Sequence, residues 1–551
     1  MMSEFDSEST GARVLARPLD RRTFLTRAAA LGLSGPALAA LLSSTPAAGA
    51  SVPASQPTGG SLTFALIGDP TLNVFTWPNQ LPSVLVAKNV FSTLVKYSAE
   101  DGVTVVPDLA TEWSASPDGL VWTFKLREGV TWHDGQPFTA DDVKFTLDAI
   151  RSENVRAQFR SALRGVTEVA VVDPRMVTIT SSEPIGSLPT LLAYNIAIAP
   201  KHLLDGQDLN ELTDFVQKPV GTGPYMVQEI VSGDRVVLAA NPNYFEGAPK
   251  IGTLTYKVVP DINSVVAQLL TGELDMATVE ASNLEALKQG GGVTTTSALE
   301  PNTFAVYLNN TRWPFDNPLV RKAATMAIDR QAIVDQLLLG EGVVATSSHS
   351  PAYGDFYNPN IQPYPFDTAQ AEALMTEAGF TKQDGLWAQD GKPIQIELMV
   401  DKGNSTREQL ALVVQQFWQD FGIEATLAVE EWSVYIERGG QLPGDYDART
   451  GWRITAPDPD KTSEYGTGGA VNHYGYSNPV ADDLLARGRT EIDRAARVAI
   501  YHELQQVLYD DCPIVWMYYP KGIIAHNARL QGVPQIGVRD ALLYVYQMSV
   551  G

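Results

Sequence analysis

Residues 451–460 read GWRITAPDPD, which sets Trp452 beside Arg453 in a stretch whose only other charges are aspartates. An indole next to a fixed guanidinium suits the capture of a polar or anionic small molecule. The ring supplies an apolar floor, and the guanidinium supplies a planar fork of donors for carboxylate or phosphate. Equipment for catalysis is harder to find. HELQQ at 502–506 begins like the zinc motif His-Glu-x-x-His, but Gln506 stands where the second imidazole is needed, so the helix offers one ligand. No Gly-x-Ser-x-Gly elbow occurs, and GLWAQDGKP carries one residue too many for a phosphate loop and a proline where Ser or Thr is required. Six histidines stand singly and the one cysteine, Cys512, cannot form an internal disulfide, so spacing assembles no metal cluster. The expectation is a binding protein with no catalytic residues, no resident metal and no cofactor.

The elements that must position such a pair belong to a long chain. Its 551 residues suffice for two to four compact units, and 44% hydrophobic with 19% charged residues fits an ordinary globular protein. Forty Lys+Arg against 63 Asp+Glu give a formal charge of -23, which repels nucleic acid and anionic headgroups. Nucleic acid is thereby excluded as an expected partner.

The N-terminus reads as an address. In DRRTFLTRAAALGLSGPALAALL, Arg21 and Arg22 precede Phe24-Leu25 and a mildly apolar run from Ala28 to Leu42, followed by a small-residue cleavage site at Ala48-Gly49-Ala50. This is the twin-arginine export pattern. About 15 apolar residues diluted by Gly, Ser and Pro fall short of the roughly 20 that span a bilayer, so residues 1–50 are expected to be a cleaved signal peptide rather than an anchor. No cysteine follows the run, which excludes a lipid anchor. Residues 51–60, SVPASQPTGG, read as a flexible lead-in. The mature chain is expected in a periplasm, or secreted, with no membrane span of its own.

From Ser61 onward, short β-like runs alternate with helical patterns, which argues for an α/β or α+β architecture. In LVWTFKLR, Leu120, Trp122, Phe124 and Leu126 recur at every second position, predicting a strand with one apolar face. After a turn at Asp134-Gly135, TADDVKFTLDAI predicts a helix capped by Thr139 with Asp142 three residues on, and with Val143, Leu147 and Ile150 on one face. PFDNPLVRKAATMAIDR predicts another, with Asn317 as cap and Pro318 at its first position. Arg321 and Arg330 in that segment can be read as a binding patch or as a solvated helix face, the second favoured because acidic residues are interspersed.

The order of segments resembles the extracellular solute-binding proteins of family 5, the peptide, nickel and oligosaccharide type that serves ABC importers. The resemblance rests on PDLATEWSASPDGLVWTFKLREGVTWHDGQPFTADDVKFTL (107–147), VGTGPYMV (220–227), NPNYFEGAPKI (241–251) and LLTGELDMA (269–277). It continues through LNNTRWPFDNPLVRKAATMAIDR (308–330), YPFDTAQAEALMTEAGF (364–380), GWRITAPDPD and NHYGYSNPVADDLL (472–485). It covers nearly the whole mature chain and implies a bilobed α/β fold of the large periplasmic-binding-protein type. The first lobe would span 61–305 and include an extra domain at about 97–215. The second lobe would span 306–505, with 506–551 returning to the first. The implied function is capture of a small polar ligand between the lobes and its delivery to an ABC permease with ATPase subunits.

Within that family, the Gly-Trp segment lies at the ligand. Trp452 and Arg453 are therefore expected ligand contacts, together with Thr455 and Asp458 just beyond them. Trp432 in VEEWSVY, Trp77 in NVFTWPN, Asn309 in LNNTRW and Asn472 in NHYGY complete the candidates. In peptide-binding relatives, an acidic side chain a few residues after this tryptophan pairs with the peptide's amino terminus. Here Arg453, Ile454, Thr455 and Ala456 follow, and Asp458 comes only after Pro457, so that anchor is missing from its place. Two placements of Arg453 stay open: toward an anionic ligand, or outward against Asp458 or Asp460. The ligand classes implied are an oligopeptide or peptide derivative first, then an oligosaccharide or opine-like compound. A metal chelate is also open, with His473 as the one imidazole near the cleft. His133, in the family's WHDG turn, is expected to be structural.

Overall fold

The computed structural model describes residues 59–76, 80–453, 458–537 and 541–551, all within the unit Pro57–Gly551. The export segment, most of the lead-in, Trp77 and Thr455 lie outside the described residues.

Local expectations from the sequence are met where one face of an element is buried. In the strand Val121–Leu126, Trp122, Phe124 and Leu126 are buried while Lys125 is exposed. Helix Ala140–Arg151 starts after Thr139, whose N–H donates to Asp142 Oδ2 at 2.9 Å, and buries Val143, Leu147 and Ile150. Asn317 caps helix Pro318–Met326 by accepting from the Leu319 N–H. Arg321 and Arg330, by contrast, are not on a solvated face; both are buried. Arg321 donates to the carbonyls of Phe315, Asp511 and Cys512, and so caps the C-terminal end of helix Arg494–Asp511, where a cation is favoured. Arg330 donates to the carbonyls of Ala345 and Trp516. Their partners are backbone carbonyls, most of them far along the chain, so local charge spacing carried no sign of them.

One twelve-stranded sheet organises the fold. Its order runs from Glu424–Glu430 through Gln395–Asp401, Ala448–Arg453 and Thr303–Leu308 to the long strand Ile514–Asn527. It continues through Met276–Val279, Ser61–Leu66, Thr253–Val258 and Arg235–Ala240 to Tyr225–Val231. A separate antiparallel sheet holds Ala110–Ala115, Val121–Leu126, Met176–Ser181 and Val166–Asp173.

The long strand Ile514–Asn527 joins the two halves of the large sheet. Its first part pairs with Thr303–Leu308, its second with Met276–Val279 and Val293–Leu299. Strand alternation sends Val515 and Met517 into one core and Ile514 and Trp516 into another; past a bulge opposite Phe304–Ala305 the order reverses, with Tyr518 in the first core and Tyr519 in the second. Past Pro520, Ile523 and Ala525 enter a third core and Ile524 a fourth. The chain thus changes halves near Pro520–Gly522, beside the second crossing between strands Val293–Leu299 and Thr303–Leu308. Beyond the crossing, Leu542, Tyr544, Val545 and Tyr546 pack with Leu62, Phe64 and Tyr256.

Candidate functional site

Strand Ala448–Arg453 lies between Gln395–Asp401 and Thr303–Leu308, with Trp452 opposite Phe304 and Arg453 opposite Thr303. Consecutive side chains of a strand point to opposite faces. Trp452 and Arg453 therefore do not share a face, although both stand at the end of the strand nearest the crossing.

On the first face, the Arg407 guanidinium carbon sits 3.9 Å from the centre of the Trp452 ring. Arg407 comes from helix Ser405–Phe421 and is buried. Its Nε donates to Asp401 Oδ1 at 2.5 Å and its Nη2 to Oδ2, so this cation is neutralised where it lies. Trp452 is half-buried, with Phe304 6.5 Å away at an interplanar angle of 22° and Trp432 6.3 Å away at 35°. Phe304 stacks on Tyr518 at 4.8 Å, and Trp432 stacks on Tyr435 at 5.8 Å. Trp432 remains 51% exposed. The arrangement is an aromatic ledge whose outer ring is open to solvent.

On the second face, Arg449 and Arg453 lie over a floor of tyrosines. The Arg449 guanidinium is buried 5.1 to 5.4 Å from the ring centres of Tyr307, Tyr435 and Tyr446. Its Nε has no hydrogen-bond partner among the described residues. Arg453 donates from Nη2 to the Val471 carbonyl at 2.8 Å, with its guanidinium 6.0 Å from the Tyr307 ring centre. Burial opposes its charge, but Tyr307 and Glu464 outweigh it and hold the arginine pKa above its ordinary value. Burial also pushes the hydroxyls of Tyr307 and Tyr446 up to about 12, so both stay protonated. Gly451 separates the two arginines on this face; a Cβ there would lie 2.8 Å from the Tyr307 ring, so the close approach requires glycine.

Of the two placements open for Arg453, pairing with Asp458 or Asp460 does not occur. Asp458 is buried and takes both Nη atoms of Arg497, at 2.9 and 2.8 Å. Asp460 Oδ1 accepts from the N–H and hydroxyl of Thr462. Among the described residues, no carboxylate lies within 4.0 Å of the guanidinium of Arg449 or Arg453.

Other candidates are occupied by the fold itself. Asn309 is fully buried, donating to the carbonyls of Gly444 and Tyr446 and accepting from Thr311. Asn472 is buried, donating to Gly466 and Tyr476 carbonyls and accepting from the Tyr476 N–H. His473 is hydrogen-bonded to the Gln441 carbonyl, and burial lowers its pKa. His133 accepts from the Gly221 N–H at Nδ1, so Nε2 bears the proton it shares with the Gly223 carbonyl. It thereby staples the WHDG turn to the GTGPY segment, and burial drops its pKa to about 4.

The sequence reading missed Arg407, Arg449, Phe304 and the tyrosine floor. Arg449 alone left a trace, since it sits four residues before Arg453 and must share its face in a strand. The tyrosines come from segments spread over 307–446 and meet only in the fold.

The chain resembles known proteins. Residues 104–473 match the model for bacterial extracellular solute-binding proteins, family 5 Middle. The oligopeptide-binding protein AppA of Bacillus subtilis (strain 168) is 30% identical over 493 residues, covering 88% of this chain and 90% of the relative. The dipeptide-binding protein of Escherichia coli (strain K12) is 28% identical, with 81% and 85% covered. The solved structure of Bacillus subtilis AppA in complex with a nonapeptide superposes with a TM-score of 0.74 at 28% identity, covering 90% of this chain and all of the other.

Proposed function

Because the chain belongs to the bacterial extracellular solute-binding proteins of family 5, we propose that its particular ligand is an acidic oligopeptide or peptide derivative, held through its negative charge rather than through a free amine. The general role is that of the family: a bilobed binding protein that presents a small ligand to an ABC importer. The observation that carries the finer reading is the second face of strand Ala448–Arg453, where neither guanidinium has a described carboxylate within 4.0 Å. A buried cation without a counter-ion is costly unless something supplies one, and a ligand carboxylate does so with bidentate geometry. The first relative is named for oligopeptides, which favours a peptide backbone over a sugar. Trp452 and Trp432 would form the apolar wall beside it.

Binding would shift an open–closed equilibrium by bringing the lobe 61–305 onto the lobe 306–505, with the four-stranded sheet as nucleus of an extra domain at about 97–215. The crossing segments near 299–303 and Pro520–Gly522 would serve as hinges. Family members are extracellular, and no helix among the described residues is long and apolar enough to cross a membrane. Export through the twin-arginine route is part of the proposal and rests on Arg21-Arg22 and the apolar run that follows. No chemistry on the ligand is proposed; ATP hydrolysis by partner subunits would drive import. Calorimetry with N-acetylated tripeptides tests the ligand class. An acidic tripeptide is expected to bind and its neutral amide not to; equal binding of both would reject the anionic reading.

A further inference from the structure

The two halves of the molecule touch at a third place, remote in sequence from both crossing segments. The turn after strand Met176–Ser181 meets the end of helix Pro479–Thr490. The Gly186 N–H donates to the Arg489 carbonyl at 3.2 Å, and Arg489 Nη2 donates to Glu183 Oε1 at 2.6 Å. The backbones are so close that a Cβ on Gly186 would fall 1.8 Å from the Glu491 carbonyl oxygen. Pro184 and Ile492 fill the space beside Gly119, 2.9 and 3.1 Å from where its Cβ would be.

Each side of this contact is anchored in its own core. Ile185 and Leu188 pack with Trp122 and Phe124, and the Ile185 carbonyl accepts from Trp122 Nε1. On the other side, Leu484 and Leu485 pack with Tyr501 and Leu504. A second touch joins other segments of the two halves: Val103 Cγ2 is 3.2 Å from the Cβ position of Gly354.

The helix end is also tied to the candidate site. Arg497 Nε donates to the Gly488 carbonyl at 2.8 Å while its two Nη atoms hold Asp458, five residues beyond Arg453 in GWRITAPDPD. One buried guanidinium thus links the binding strand's continuation to the residue before Arg489.

From this we infer that the Glu183–Gly186 turn and the Arg489–Glu491 segment form a clasp that holds the two halves together and must part when they open. The inference rests on the proposed hinged closure. Opening about the crossing segments would break the Gly186–Arg489 hydrogen bond, the Glu183–Arg489 ion pair and the Gly186–Glu491 backbone approach together. The strength of the clasp then sets how much of the ligand-free protein is closed.

Spin-label distances in the ligand-free protein test this. Labels on S114C, in the four-stranded sheet, and Q506C, in helix Arg494–Asp511, report the separation of the halves; both sites are exposed, and the native Cys512 is buried. Gly186→Val is expected to lengthen the distance. Glu183→Arg and Arg489→Glu should each lengthen it, and the two combined should return it toward the parent value. Unchanged distances in folded Gly186→Val and in both charge variants would overturn the clasp. If Gly186→Val fails to fold, the charge swap decides alone: lengthening with rescue supports the clasp, and no lengthening rejects it. No ligand enters the measurement, so its failure leaves the solute-binding reading intact, while rejection of the acidic ligand class leaves the distances interpretable.

Discussion

The two faces of strand Ala448–Arg453 both carry arginine against aromatic rings, yet they treat its charge differently. Arg407, over Trp452, is met by Asp401 on two of its nitrogens. Arg449 and Arg453, over the tyrosines, meet no described carboxylate. Elsewhere in the same half, Arg497 has Asp458, and Arg321 and Arg330 have backbone carbonyls. Arg453 also has a backbone carbonyl, that of Val471, but among the described residues neither it nor Arg449 has a carboxylate within 4.0 Å. Both lie on strand Ala448–Arg453, and the proposed function gives them a ligand anion as counter-charge.

Removing a counter-ion should hurt the first face most. Asp401→Ala is expected to cost about 3 to 5 kcal/mol of stability by leaving Arg407 buried and uncompensated, read from denaturant unfolding. On the second face, Arg449→Met is expected to leave stability equal or higher, because a buried cation without a carboxylate partner is replaced by an apolar chain. A large loss in Arg449→Met would erase the contrast between the faces.

Binding effects come next. Trp452→Ala is expected to weaken ligand affinity by about 1 to 3 kcal/mol, the usual scale for truncating an aromatic contact. Unchanged affinity in the folded variant, by calorimetry, would remove Trp452 from the pocket. Arg453→Ala is expected to lose affinity for an acidic tripeptide while leaving affinity for its neutral amide unaltered; equal change for both would assign Arg453 a packing role.

The smallest effect is a difference in pH dependence. His133 has a folded pKa near 4, below its ordinary 6.5, so the unfolded chain binds the extra proton first. Its contribution to stability is complete above about pH 6.5 and is lost as pH falls toward 4. His133→Gln is expected to flatten that part of the stability profile. Affinity for an acidic ligand should hold between about pH 6.5 and 5, because arginine does not titrate there. An affinity that fell in step with stability would tie binding to a histidine instead.

Much of this was legible in the chain, and the limits follow from distance along it. Alternation in LVWTFKLR and the caps at Thr139 and Asn317 are local rules, and the structure obeys them. The same alternation implies that Trp452 and Arg453 oppose each other once GWR is known to be a strand. The importance of Arg449 was out of reach because its meaning lies in what is missing around it, and only the fold shows which carboxylates stay away. Arg321 looked like a surface residue for the converse reason: its partners are carbonyls at Asp511 and Cys512, which composition does not display. Asn309 and Asn472 fall in segments that carry the family resemblance, yet their amides are spent on backbone carbonyls.

The most direct test is native mass spectrometry of the mature protein purified without added ligand, followed by denaturation and identification of the molecule released. The expected result is an acidic peptide or an amino-blocked, carboxylate-bearing derivative. Release of a neutral sugar or a cationic peptide would contradict the proposed capture of an anion by Arg449 and Arg453.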